Sequence, residues 1–510
     1  MPASPGSAFL EYHEPTIVPL LVLISFFVFL TLSEWASNKI FRAGLIGQIV
    51  VGLIYGVPIG NILALEWQET FLALGYLGLL LIIFEGGLTI RLDLLRQNLV
   101  LSVIAALVGV LAPIALSFGL LLGGFGHSPL EAFIVGVALC STSLGTTFVV
   151  INSASASRGL DFSQTRIGTV LLSAAVLDDV CGLVLVSVIR GLRELAPATD
   201  GSEGGSANLG WIIGRPILAS GLMAVLTPVF ALFVFGPLVR MGVVRNVLAK
   251  DKHSTNMAIM VLVLCAFLAI AAYTGASVLF GAFLAGMFLS MLHPDTDGDA
   301  AEESTTFTHT FEKYLADVRR FMLQPLFFAS IGFAIPFVEL WTGEVIWNGI
   351  VFTILMILSK LLVGVCIPLW DVAATATRSK TAEKPLAEGK GVLASTWAPA
   401  TLLGTAMVAR GEVGLLIIQI GLNETPYLGR KAFVIAVWAI VLNTIVGPVS
   451  AGFLIKKFGV KIAEHPRWGA RPVEGKHGGQ ERDVECVKAT PSAHCPPRSV
   501  DGGPVTMQGR

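Results

Sequence analysis

Charge is scarce in this chain. Asp, Glu, Lys and Arg make up 14% of its 510 residues, against roughly a quarter in an ordinary soluble domain. The shortage excludes a solvated globular enzyme and points to a protein that keeps most of its surface out of water. Cysteine is also sparse. Cys140, Cys181, Cys265 and Cys366 lie inside apolar segments, and Cys486 and Cys495 lie near the end of the chain. That distribution gives neither a secreted disulfide framework nor a metal-ligand spacing. The basic region of a cleaved signal peptide is missing too: Glu11 and Glu14 precede the first apolar run, which is therefore expected to stay as a helix. A net charge of −1 says little about partners, and nucleic acid is not among those expected. What is abundant is apolar sequence, with 54% hydrophobic residues and 54 glycines. This is the balance of a polytopic helical membrane protein.

A window of about 20 residues finds spans at about 16–35, 43–61, 69–89, 97–123, 129–152, 165–189, 211–239, 255–273, 275–291, 321–341, 343–370, 399–422 and 429–455. Basic residues test the alternation of these about thirteen spans. One set of loops contains only Arg190, Arg193, Arg215, Arg430 and Lys431. The other set holds most of the remainder, among them Lys39, Arg42, Arg91, Arg166, Arg245, Lys313, Arg319, Arg320, Lys380 and Lys390. By the positive-inside rule the N-terminus is expected outside and the C-terminus in the cytosol. Residues 198–209 are expected to form a flexible external loop, and 292–320 and 371–398 charged cytosolic connections. Residues 458–510, rich in Gly, Pro and charge, are expected to be disordered, either as a solvated tail or as a regulatory one.

Two adjacent carboxylates, Asp178 and Asp179, sit near the middle of the apolar run RIGTVLLSAAVLDDVCGLVLVSVI. Each costs about 2.5–3.5 kcal/mol at bilayer depth on insertion scales, so both must face protein, water or an ion. Lys360, within VFTILMILSKLLVGVCIPLW, is too deep to reach the interface and needs a counter-charge. Adjacent residues point about 100° apart on a helix, so one aspartate can pair with Lys360 while its neighbour stays free for a cation. Lys360 is expected to take part in proton exchange through this salt bridge, with a purely structural salt bridge as the alternative role.

The fifth and twelfth spans carry helix-weakening residues at mid-depth. The fifth has Ser141, Thr142, Ser143, Gly145, Thr146 and Thr147; the twelfth has Arg410, Gly411, Glu412 and Gly414. Because they are an odd number of spans apart they cross in opposite directions, the pattern of an inverted repeat whose broken helices meet at an ion site. Hydroxyls bonded to carbonyls one turn back, and small residues in helix packing, would account for the fifth span alone. The charges in its counterpart favour the functional reading.

These residues resemble the monovalent cation/proton antiporter superfamily over about residues 40–455. The resemblance rests on FEGGLTIRLDLL (84–95), STSLGTT (141–147), AAVLDDVCGL (174–183), GAFLAGMFLS (281–290), PLFFASIGF (325–333), Lys360 and ARGEVGLL (409–416), in that order. It implies an all-α polytopic fold of thirteen transmembrane helices, with inverted repeats and two crossed discontinuous helices. Residues 1–457 would form the transporter: a dimerisation part at about 16–89 and 255–341, a core at about 97–189 and 343–455, and a linker helix at 211–239. By the same resemblance Asp179 is the cation-binding aspartate and Asp178 the acid that bonds Lys360. Thr142 and Ser143 line the site, and Arg410 and Glu412 form a structural polar pair. The Asp-Asp form with a membrane lysine is similar to the electrogenic branch, whereas FEGGLTI is closer to the electroneutral one. Glu85 is a candidate gate, or else an interfacial carboxylate close to Arg91.

The expected activity is antiport of Na⁺ or Li⁺ against protons by alternating access, in a homodimer in a lipid membrane, with the plasma membrane favoured over an organelle. Carboxylate, hydroxyl, carbonyl and water oxygens suffice for a hard monovalent cation, so no cofactor is expected and the protein is not read as an enzyme. A K⁺/H⁺ antiporter would use the same carboxylates. Its common nucleotide-binding domain needs about 100 residues, more than follow the last span. An intramembrane aspartyl protease needs its aspartates on different helices, which neighbours cannot be. An ion-binding membrane sensor also fits the residues, and vesicle transport separates it from a carrier.

Overall fold

The long apolar runs fold as helices that satisfy their own backbone, as any spanning segment must. The structure, a computed structural model, describes residues 14–90, 95–96, 98–143, 165–195, 209–237, 252–292, 307–378 and 392–469. Among them the helices are α1 (Ile17–Phe41), α2 (Gly44–Tyr55), α3 (Leu65–Leu88), α4 (Leu99–Ser117), α5 (Pro129–Ala138), α6 (Arg166–Gly191), α7 (Leu209–Val229) and α8 (Lys252–Thr274). They continue with α9 (Val278–Met291), α10 (Phe307–Tyr314), α11 (Gln324–Phe333), α12 (Gly343–Gly364), α13 (Cys366–Arg378), α14 (Val392–Ala406), α15 (Glu412–Glu424) and α16 (Arg430–Ala463).

Eight helices among the described residues are long and apolar enough to cross a bilayer. The other expected spans are short or broken: α2, α5 and α9 are apolar but have 10–17 residues. The span expected at 321–341 is not one helix, since α11 ends at Phe333 and only a 3-10 turn, Phe337–Trp341, follows. The expected connections are partly helical. α13 runs on to Arg378, α14 begins at Val392, and α10 buries Phe311. The expected external loop, apart from Leu209, and the expected loop residues Arg91, Arg245, Lys380 and Lys390 lie outside the described residues.

Packing joins α1, α2, α3, α9 and α11 in one group and α4, α5, α6, α12, α14, α15 and α16 in another, while α7 lies against both α6 and α9. In the first group, a Cβ on Gly87 of α3 would strike the Phe283 carbonyl of α9, and one on Gly286 of α9 would strike the Phe84 carbonyl of α3. Backbones this close admit only glycine. The FEGG and GAFLAG stretches are therefore helix-contact motifs.

Ion pairs group charges by end of the bundle. Arg190 meets Glu424 at 3.1 Å, Arg430 meets Glu339 at 3.4 Å and Lys431 meets Glu344 at 2.6 Å. All six belong to loops or helix ends that the alternation places on the side poor in basic residues. At this end Ser128 and Glu131 form a capping box on α5. Glu131 Oε1 also accepts the backbone N–H of Gly429 at the start of α16, so the two helices are set from one carboxylate. At the other end Arg319 meets Glu85 at 3.0 Å and Arg467 meets Asp371 at 3.0 Å.

The C-terminal boundary differs from expectation. α16 has 34 residues, about 51 Å at 1.5 Å per residue, longer than the roughly 30 Å hydrocarbon core. Its last turns, which carry Lys456, Lys457 and Lys461, therefore stand clear of the membrane. The chain then turns and buries Trp468 completely. Composition could not show this, because one tryptophan among polar residues suffices to anchor a segment. Residues 470–510 lie outside the described ones.

Candidate cation site

The second expected helix interruption is present: α14 ends at Ala406, and α15 starts only at Glu412. In the fifth span α5 ends at Ala138 and residues 139–143 are not helical, the remainder of that span lying outside the described residues. The interruptions touch, with Ser143 N–H donating to the Ala409 carbonyl at 2.9 Å and Thr142 Oγ1 to the Met407 carbonyl at 3.3 Å. Gly145, Thr146 and Thr147 lie outside the described residues.

A helix that stops in the membrane leaves carbonyls without partners and a partial negative charge at its end. Here two cations meet that end. Lys360 Nζ donates to the Cys140 carbonyl at 2.5 Å, and Arg410 Nη1 to the Ser141 carbonyl at 3.0 Å and the Cys140 carbonyl at 3.4 Å. Lys360 Nζ also forms an ion pair with Asp178 Oδ2 and donates to Thr142 Oγ1 at 3.1 Å. Thr142 Oγ1 in turn donates to Asp178 Oδ2 at 2.7 Å. Asp178 and Lys360 are both fully buried.

The helical phase of α6 separates the two aspartates. Asp178 points to Lys360, while Asp179 is less buried. Among the described residues Asp178 Oδ1 and Asp179 Oδ1 have no hydrogen-bond partner. Buried carboxylate oxygens without donors are acceptors still available to a cation, a proton or water. Ser143 is also buried and lies against Gly411.

Among the described residues no ion pair joins Arg410 and Glu412; Gly411 between them is extended, and Glu412 starts a new helix. Arg410 is buried, its Nε and Nη2 have no partner among the described residues, and its carbonyl accepts the Thr444 hydroxyl at 2.9 Å.

Glu85 lies apart from the aspartates. It is bound by Arg319 at 3.0 Å, and Arg319 is held by Gln324 at 3.0 Å. Arg91, its expected neighbour, lies outside the described residues. The sequence reading did not single out Asn443 and Thr444, although this polar pair interrupts the apolar run VWAIVLNTIVGPV. Both are fully buried beside the second interruption, and among the described residues Asn443 has no hydrogen-bond partner on either side-chain atom.

An all-helical membrane bundle with two interruptions touching over a buried Asp-Lys pair defines a class of ion-binding membrane protein. The chain belongs to the transmembrane sodium/hydrogen exchanger family, matched over residues 20–457. It is 24% identical over 418 residues to the Na(+)/H(+)-K(+) antiporter GerN of Bacillus cereus, covering 81% of this chain and 90% of that one. It is 24% identical over 446 residues to a Na(+)/H(+) antiporter of Enterococcus hirae, covering 86% and 98%. Its fold is similar to that of the sodium proton antiporter MjNhaP1 from Methanocaldococcus jannaschii, with a TM-score of 0.54 at 14% identity over 87% of this chain and 98% of that one.

Proposed function

We propose that the protein is a secondary active antiporter that exchanges Na⁺ or Li⁺ for protons by alternating access, moving net charge. The observation that carries this reading is the division of labour at the interruptions. Asp178 is engaged by Lys360 and Thr142, whereas Asp179 keeps an oxygen without a donor in the same buried space. A cation and a proton then compete for the oxygens of Asp179, and competition for a site open to one side at a time is antiport. Lys360 adds a second titratable group, so one cation can be exchanged for two protons.

In this reading Thr142 and Ser143 complete the oxygen shell together with water, Arg410 fixes the crossing, and Glu85 with Arg319 guards the approach from the basic end. The group containing α4–α6 and α12–α16 moves against the group of α1–α3, α9 and α11, which supplies the dimer contact, with α7 as link. The basic end faces the cytosol, and the protein works in the plasma membrane. A K⁺/H⁺ antiporter would use the same groups, and one relative's name includes K⁺.

Purified protein in vesicles containing a pH dye tests the proposal. Adding NaCl or LiCl should move protons, and KCl should not. A response to KCl alone would assign the K⁺ reading, and no response to any salt would leave an ion-binding sensor.

A further inference from the structure

The segment from Glu464 to Gly469 holds together five elements at the basic end of the bundle. Main-chain bonds run from Ile167 N–H to the Trp468 carbonyl at 3.1 Å and from Arg166 N–H to the Gly469 carbonyl at 3.2 Å. They occupy donors in the first turn of α6 that the helix itself cannot satisfy. The Arg166 guanidinium lies 4.8 Å over the Trp468 ring and donates through Nε to Asn98 Oδ1, at the start of α4, at 3.2 Å. Trp468 Nε1 donates to Asp371 Oδ2 of α13 at 2.9 Å, and Arg467 pairs with Asp371 Oδ1 at 3.0 Å.

His465 shapes this turn. Its Nδ1 accepts the backbone N–H groups of both Arg467 and Trp468, each at 3.3 Å. That role requires Nδ1 to be unprotonated, so the neutral ring carries its proton on Nε2. A second proton would place a donor against two donors. Trp468 shares a buried apolar cluster with Ala398 and Leu402 of α14. The charged groups facing the ring are Asp371 on α13, Lys461 on α16 and Arg467 beside it. Asp371 favours the protonated ring; Lys461 and Arg467 oppose it, as does burial.

We propose that residues 464–469 are a proton-sensitive latch, clamping α4, α6, α13, α14 and α16 together while His465 is neutral and releasing them when it is protonated. Burial holds the His465 pKa below the ordinary histidine value. The closed latch therefore binds fewer protons than the open one. Its stability is complete above the ordinary value near 6.5 and falls about tenfold per pH unit below it, until the closed-state pKa is reached. Because α6 carries Asp178 and Asp179 and α14 leads into the second interruption, release would loosen the frame of the cation site. That consequence rests on the transport reading; the latch itself does not.

Hydrogen–deuterium exchange on the full chain in detergent, from pH 8 to 5.5 and corrected for intrinsic rates, tests it without transport. Protection of the Ile167 and Trp468 amides should fall about tenfold per unit below about pH 6.5. The loss should disappear in His465→Gln and persist in Asp371→Asn, which keeps an oxygen for Trp468 Nε1. Protection that is flat with pH in the wild-type chain, a slope unchanged in His465→Gln, or a slope lost in Asp371→Asn would each overturn the latch.

Discussion

Removing the Lys360 charge exposes how the buried site is balanced. Lys360 Nζ serves three acceptors: Asp178 Oδ2, the Cys140 carbonyl and Thr142 Oγ1. Lys360→Met keeps most of the side-chain volume yet leaves Asp178 as a buried charge with one donor, the Thr142 hydroxyl. Breaking a fully buried pair from one side costs about 3–5 kcal/mol. Asp178→Asn should cost less, because the ammonium retains two oxygen acceptors. The double variant has no uncompensated charge, so its loss should fall short of the sum by about 0.5–3 kcal/mol, the range for residues in contact. Thermal unfolding of detergent-purified protein, read as the monodisperse fraction after heating, gives the four corners of the cycle. Losses that simply add would mean that the two groups are not energetically paired.

Other expectations follow from particular contacts. Gly286→Ala should cost about 1–3 kcal/mol by driving a methyl group into the Phe84 carbonyl. Gly86→Ala, facing open space one helix away, should be neutral or stabilise by up to about 1 kcal/mol, as the yield of folded protein will show. If Glu85 and Arg319 guard the approach, Glu85→Gln and Arg319→Gln should alter the cation concentration for half-maximal exchange without abolishing it. The exchanged pair Glu85→Arg with Arg319→Glu should then recover part of the loss, and no recovery would make the contact incidental. If Lys360 contributes a proton, a potential imposed with K⁺ and valinomycin should set the direction of exchange in proteoliposomes; indifference to voltage would mean one cation for one proton.

The interruptions were legible in the sequence because hydroxyls, glycines and charges at mid-depth have no place in an unbroken apolar helix. Which aspartate faces Lys360 was not, since two neighbours about 100° apart are equivalent until the rotation of α6 is known; packing of the helix against α4 and α15 sets that rotation. Arg410 and Glu412 are two residues apart in sequence, yet Gly411 separates a non-helical stretch holding Arg410 from the new helix that Glu412 starts. Spans such as α2 and α11 were found by hydropathy although they are shorter than a bilayer crossing. Their limits are set by turns and close backbone contacts rather than by composition. The Trp468 anchor was hidden for the opposite reason, since its partners, Asp371 and Arg166, are distant in sequence.

The central claim is that Asp179 is where cation and proton compete. In proteoliposomes with a pH dye inside, a jump in external NaCl should move protons across wild-type membranes. Asp179→Asn keeps the size of the side chain but cannot titrate, so it should reconstitute equally well and move none. Proton movement near the wild-type rate in Asp179→Asn would contradict the account.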